Sequence, residues 1–152
     1  MLIGKPYAAV LGLVALVAAG PAASFTFIDG KTATCTARGG NVLEYEAPPD
    51  EPLVKGRVAY TALDGDHYLI VWNPERLKAL PPDVHDYLFF HECAHARVPT
   101  SDEVIANCQG LKEMRAAGRA GPEVEARLAA FYGAASSYWK ATLSCANGTA
   151  GK

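Results

Sequence analysis

Apolar residues recur along this chain in two rhythms, one in each half. From Phe25 to Trp72 they come in short runs, rich in threonine, β-branched and aromatic residues and broken by glycine and proline, which is the pattern of strands. Phe25–Ile28 and Thr32–Ala37 are two such runs, parted by Gly30 and closed by Gly39-Gly40. Val42–Ala47 alternates weakly and stops at Pro48-Pro49-Asp50-Glu51-Pro52. The strongest signal is Arg57–Leu63 followed by His67–Trp72, with Asp64-Gly65-Asp66 between them. An Asp-Gly step between two runs of this kind supplies the turn of a hairpin.

Beyond Pro81-Pro82 the period lengthens to that of a helix. Asp83 is placed to cap a first helix, with Asp86 three residues on in place of the usual glutamate. That helix should run to about Arg97 and stop before Pro99. A second begins near Thr100 or Ser101, aligns Val104, Cys108 and Leu111 on one stripe, and ends at Gly118. A third starts at Pro122 and carries Val124, Leu128, Phe131, Ala135 and Trp139 at helical spacing toward Leu143 and Cys145. Strands followed by helices, with no alternation between them, predict an α+β domain: a small N-terminal antiparallel β-sheet, then about three helices.

The first 24 residues stand outside this scheme. Lys5 is their only charge, Ala8–Ala19 is an unbroken apolar run, and Gly20-Pro21-Ala22-Ala23-Ser24 offers the small residues that a signal peptidase reads. This is the order of a secretory signal peptide, over a run too short for a stable membrane span. It predicts a leader over residues 1–24 and a single domain over residues 25–152, secreted or periplasmic. The formal net charge of −2 and the lack of any basic run give no reason to expect nucleic acid or a membrane surface as partner. Four cysteines follow the leader: Cys35, Cys93, Cys108 and Cys145. In an exported chain they predict two disulfides, with three connectivities open. No close cysteine pair suggests metal binding through sulfur.

The chemistry is concentrated in the first predicted helix, which reads Phe89-Phe90-His91-Glu92-Cys93-Ala94-His95-Ala96. Residues four apart share one helix face, so the His91 and His95 imidazoles project together, at a separation that suits two nitrogens on one tetrahedral zinc ion. Glu92 lies about 100° round the helix, near the ion but better placed to take a proton from water than to bind metal. The rest of the helix is apolar almost all round, hence buried. Three polar side chains there need partners, since each unpaired one costs roughly 2–7 kcal/mol. A pair of core histidines bonded to nearby backbone is the alternative. Zinc satisfies all three side chains at once.

A third ligand is sought downstream, in Thr100-Ser101-Asp102-Glu103-Val104-Ile105-Ala106-Asn107, where Glu103 and Asn107 are again four apart. Here the chain resembles the HExxH zinc metallopeptidases (zincins) of the gluzincin kind. In these a second helix supplies a glutamate ligand and, four residues on, an acidic residue that holds a zinc histidine. The resemblance covers about Trp72 to Met114. It implies that His91, His95 and Glu103 bind Zn2+, that Asn107 holds a histidine from behind, and that Glu92 is the catalytic base. The gap from His95 to Glu103 is shorter than in most gluzincins, and Asn107 stands where an acidic residue is usual. Thr100 and Glu103 are also spaced as a capping box, which competes with ligation, and Asp102 is the next candidate ligand. The metzincin pattern is excluded by Val98 and Ser101.

The resemblance further implies a peptide or protein substrate, hydrolysed by a zinc-activated water and held by the strand His67–Trp72. His85 reads as an exposed first-turn residue and His67 as a turn histidine. Tyr132 and Tyr138 fit either the core edge or the stabilisation of a tetrahedral intermediate. A zinc-stabilised, non-catalytic binding domain is the competing expectation, and a metal-free disulfide-rich structural protein the third. Retention of Glu92 favours the enzyme.

Overall fold

The computed structural model describes residues 24–48, 50–52 and 54–148. The leader expected over residues 1–24 therefore lies, but for Ser24, outside the described residues. Two short antiparallel ladders come first, β1 (Phe25–Thr26) with β2 (Thr32–Ala33) and β3 (Thr36–Ala37) with β4 (Gly40–Asn41). A three-stranded sheet follows, made of β5 (Leu43–Glu46), β6 (Ala59–Asp64) and β7 (His67–Trp72) in the order β5-β7-β6. The β6–β7 hairpin is the one the sequence announces. Asp64 pairs with His67, and Gly65 takes a φ of 59° at the first central position of the turn, where a II′ turn requires glycine.

β5 pairs parallel to β7 and inverts the burial its composition suggests. Leu43 and Tyr45 are exposed, while Glu44 is buried. The Glu44 carboxylate faces inward because donors wait for it: the Cys35 N–H at 2.9 Å and the Trp72 indole N–H at 3.2 Å.

Five helices follow among the described residues: α1 (Pro74–Lys78), α2 (Pro82–Arg97), α3 (Glu103–Ala116), α4 (Pro122–Tyr132) and α5 (Ser137–Ala146). No helix among the described residues is long and apolar enough to cross a membrane. The α+β order of strands then helices is as expected, with two additions. α1 is a single turn capped by Asn73, whose side chain accepts the Arg76 N–H. The third expected helix is two, because Gly133 at φ 84° ends α4 and Ser136 caps α5. Leu128 and Trp139 are buried on either side of that break, whereas Phe131 is exposed.

α2 is the central element, with Tyr87, Cys93 and Ala94 fully buried. Its cap is Pro81, not Asp83; Asp83 stays in the first turn and pairs with Arg127. His85 is buried, contrary to expectation. Its Nδ1 lies 3.0 Å from the Asp86 carboxylate and its ring packs on Phe25. Asp86 also accepts the Ile28 N–H and an Arg119 N–H, and so ties the start of the chain to α2.

α3 lies against α2 at Gly110, where an added Cβ would stand 2.9 Å from the backbone nitrogen of His91. Only a residue without a side chain permits this approach. Two disulfides fix the pair from outside: Cys35–Cys93 joins α2 to the β-layer, and Cys108–Cys145 joins α3 to α5.

Candidate metal centre

The α2–α3 contact decides which groups meet. Asp102 caps α3, accepting the N–H groups of Val104 and Ile105, while Thr100 accepts the N–H of Asp102. The capping box between Thr100 and Glu103 is therefore not formed. Glu103 sits in the first turn with its carboxylate free to turn toward α2. The structure brings Glu103, and not Asp102, to the two histidines.

His91 Nε2 and His95 Nε2 stand 3.2 Å apart, and Glu103 Oε2 is 3.2 Å from the first and 3.7 Å from the second. Ligands held at about 2.0–2.1 Å by a tetrahedral ion stand about 3.3–3.4 Å from one another. The triangle has the size of one face of such a site, and its donor set of two imidazoles and a carboxylate is one that zinc accepts. His91, His95 and Glu103 thus form a cluster able to coordinate a metal ion.

The far side of each ring is held. His91 Nδ1 is 3.0 Å from Asn107 Oδ1, and His95 Nδ1 is 2.7 Å from the Thr100 carbonyl oxygen. Both partners are acceptors, so each neutral ring carries its proton on Nδ1 and presents a bare lone pair at Nε2. Two bare lone pairs facing each other beside a carboxylate call for a cation between them. The same attraction acts on a proton. Burial works to lower the His91 pKa, but the hydrogen bond to Glu103 and the charges of Glu92 and Glu103 outweigh it and the net shift is upward. Glu103 is held below the usual carboxylate range by its bond from His91, against partial burial, with help from the charges of His91, His95 and Arg57.

Asn107 is buried and fully used: its oxygen accepts from Tyr87 OH at 2.7 Å and from His91, and its amide donates to Tyr138 OH. Tyr138 thereby belongs to the support of a histidine. Tyr132 stacks on Trp139, the core-edge role.

Glu92 is buried beside the cluster but outside it. Thr61 Oγ1 lies 2.6 Å from Glu92 Oε2 and 3.1 Å from the Glu92 carbonyl oxygen. The single hydroxyl proton goes to the nearer carboxylate oxygen, which fixes the carboxylate's plane and leaves its other oxygen to exchange a proton.

These groups line one open cleft of about 520 Å³, walled by Arg57, Tyr60 and Thr61 on one side and by Thr100, Ser101 and Glu103 on another. The strand at the cleft is β6. β7, expected to receive a peptide, has β5 on one side and β6 on the other and has no edge to offer. His67 is exposed at the hairpin turn and does not line the cleft. Thr61 and Arg57 were not singled out from sequence. The one signal for Thr61 was the period of two, which puts it on the same face of β6 as buried Ala59. No family model, curated protein or solved structure matches the chain.

Proposed function

We propose that this chain is an exported zinc-dependent peptidase of the HExxH type, in which His91, His95 and Glu103 hold the metal and Glu92 is the general base. The observation that carries this reading is the pair of Nε2 lone pairs, 3.2 Å apart and turned toward each other by acceptors behind both rings. A histidine pair kept for packing alone has no need of that orientation.

Zinc, held by His91, His95 and Glu103, would supply Lewis-acid chemistry toward a scissile carbonyl and a water. Glu92, hydrogen-bonded by Thr61, would act as the base for the attacking water and pass the proton to the leaving amine. Asn107 and the Thr100 carbonyl keep both imidazoles in one tautomer through the cycle. A substrate peptide adds as a strand to the edge of β6, which has no strand partner on its cleft side among the described residues. Export is supported by the two disulfides, which belong to an oxidising compartment.

The competing reading, a zinc-stabilised binding domain, has no use for a buried carboxylate held beside the metal cluster. The test runs wild type, Glu92→Gln and Glu103→Ala together, reading zinc content, melting and cleavage of a mixed peptide library. Glu92→Gln should keep zinc and fold, and lose cleavage by on the order of 10²-fold or more. Glu103→Ala should lose zinc and cleavage together. Wild-type protein that holds zinc and cleaves nothing would move the conclusion to the binding domain.

A further inference from the structure

The charged groups of the second half of the molecule are largely used up on each other. Arg97 pairs with Glu113, Arg115 with Glu125, Arg119 with Asp29 and Asp86, and Arg127 with Asp83. Arg57 differs. Its backbone N–H donates to the Val54 carbonyl, but among the described residues its guanidinium makes no salt bridge and no hydrogen bond, although it stands at the wall of the cleft that contains His91, Glu92 and His95.

Though exposed, its side chain has an aromatic partner. The guanidinium lies over the ring of Tyr60, 5.2 Å from the centroid. That ring is itself packed on the small second core of Ala47, Val54 and Val71. Stacking on an aromatic face leaves the N–H donors of an arginine, which lie in its plane, free for a planar acceptor. Arg57 and Glu103 line the same cleft, and the Glu103 carboxylate pairs with His91 and His95, not with the guanidinium. With zinc on Glu103, that carboxylate's charge is engaged by the ion and Arg57 is left as a cation without a counter-charge.

The remaining wall points the same way. Thr61, Thr100 and Ser101 contribute hydroxyls, and the apolar lining is limited to Ala59 and the Tyr60 ring. Among the described residues, this cleft has no deep apolar pocket to select a large hydrophobic side chain.

We propose that Arg57 is a specificity residue that receives a carboxylate of the substrate, so that the preferred peptides carry an acidic side chain or a free C-terminal carboxylate close to the scissile bond. The proposal rests on the peptidase reading for the scissile bond alone, since carboxylate binding by Arg57 can be measured without turnover.

The experiment uses quenched fluorescent hexapeptides that differ in one feature at a time: Glu against Gln at each position, and a free carboxylate against an amide at the C-terminus. The zinc-loaded wild type, Arg57→Gln and Arg57→Lys are compared by the carboxylate-to-neutral ratio of kcat/KM. In parallel, anisotropy of labelled versions of the same peptides measures binding to Glu92→Gln and to Glu92→Gln/Arg57→Gln, with zinc content checked in each. Wild type should favour one carboxylate by on the order of tenfold or more, the scale of a charge-assisted hydrogen bond. The effect should lie mainly in KM, collapse in Arg57→Gln and return in part in Arg57→Lys. The Glu scan and the C-terminal pair tell an internal acidic residue from a terminal carboxylate. A ratio that survives Arg57→Gln, or a wild type that binds carboxylate and neutral peptides alike, overturns the proposal. So does loss of zinc in Arg57→Gln with the preference intact, which would make Arg57 a partner of Glu103. Arg57-dependent carboxylate binding without cleavage of any peptide would sustain it and sink the peptidase reading.

Discussion

At the first turn of α2 the histidine is His85 and the carboxylate is Asp86. At its last two turns the histidines are His91 and His95, and the carboxylate, Glu103, arrives from α3. In the first group Arg119 supplies the positive charge. It bonds Asp86 on one side and Asp29 on the other, and lies 3.8 Å over the ring of Phe27. Both Asp86 oxygens, His85 Nδ1 and the Arg119 guanidinium have partners from the chain. In the second group the acceptors behind the rings are present, the carboxylate is present, and no side chain fills the centre. Two clusters of the same residue types on one helix differ in who brings the cation. Where the chain brings it, the cluster is a structural clasp. Where the chain withholds it, the cluster is a candidate metal site.

This contrast can be broken most forcefully at the histidines. His91→Ala or His95→Ala should abolish zinc retention, read by elemental analysis after dialysis, and should remove the fall in melting temperature that a chelator causes in wild type. Ligand linkage sets the scale of that fall, about 4 kcal/mol when zinc stands 1,000-fold above its dissociation constant. Wild type that retains no zinc after careful folding would end the distinction between the two clusters. The next largest effect belongs to the clasp. Asp86→Ala leaves Arg119 to Asp29 alone and removes the acceptor of the Ile28 N–H and the partner of His85, and should cost roughly 1–3 kcal/mol in urea unfolding while zinc content stays unchanged. Zinc lost along with stability would mean that the two ends of α2 are one coupled unit.

Glu44 sharpens the comparison with a third solution, a buried carboxylate met by neutral donors alone. Burial pushes its pKa above the ordinary 4.5, against the pull of the Cys35 and Trp72 N–H groups. As pH rises past 4.5 the unfolded chain loses this proton while the folded chain still holds it. The associated stability is therefore full below 4.5 and is lost as pH climbs through the folded-state value. Urea midpoints of wild type and Glu44→Gln, taken in chelator from about pH 4 to 7, should show wild type losing ground to the variant as pH rises. Parallel curves would show that Glu44 titrates alike in the folded and unfolded chain.

What could be read from sequence was what local periodicity encodes. The histidine pair and the Glu103/Asn107 pair are each four apart on a helix, so their faces follow from 3.6 residues per turn, and only the meeting of the two helices had to be supplied by the fold. Thr61 on β6 and Arg57 just ahead of it lie 31 and 34 residues before Glu92 and His91, and nothing in their own segment marks them as neighbours of the histidines. The Leu128-to-Trp139 stripe hid a helix break because apolar spacing continues across Gly133. Glu44 escaped because alternation reports hydrophobicity, whereas its inward turn is decided by two N–H groups from distant segments. His85 and Asp83 exchanged expectations with Asp86 and Pro81 for the same reason: a first turn is exposed only if nothing packs on it, and here β1 does.

The close approach at Gly110 makes the α2–α3 crossing a gauge whose setting is a missing methyl group. The distance between the histidines and Glu103 is set by backbone resting on backbone, at a point two turns along α3 from Glu103 and directly behind His91. The mouth of the cleft is furnished from elsewhere, by the β6 edge and the residues just ahead of it. On the proposed reading, choice of ion and choice of substrate are thereby written in separate parts of the chain. A population of variants can explore Arg57, Tyr60 and Thr61 without disturbing the spacing of the three donors, whereas a change at residue 110 alters that spacing whatever the mouth contains.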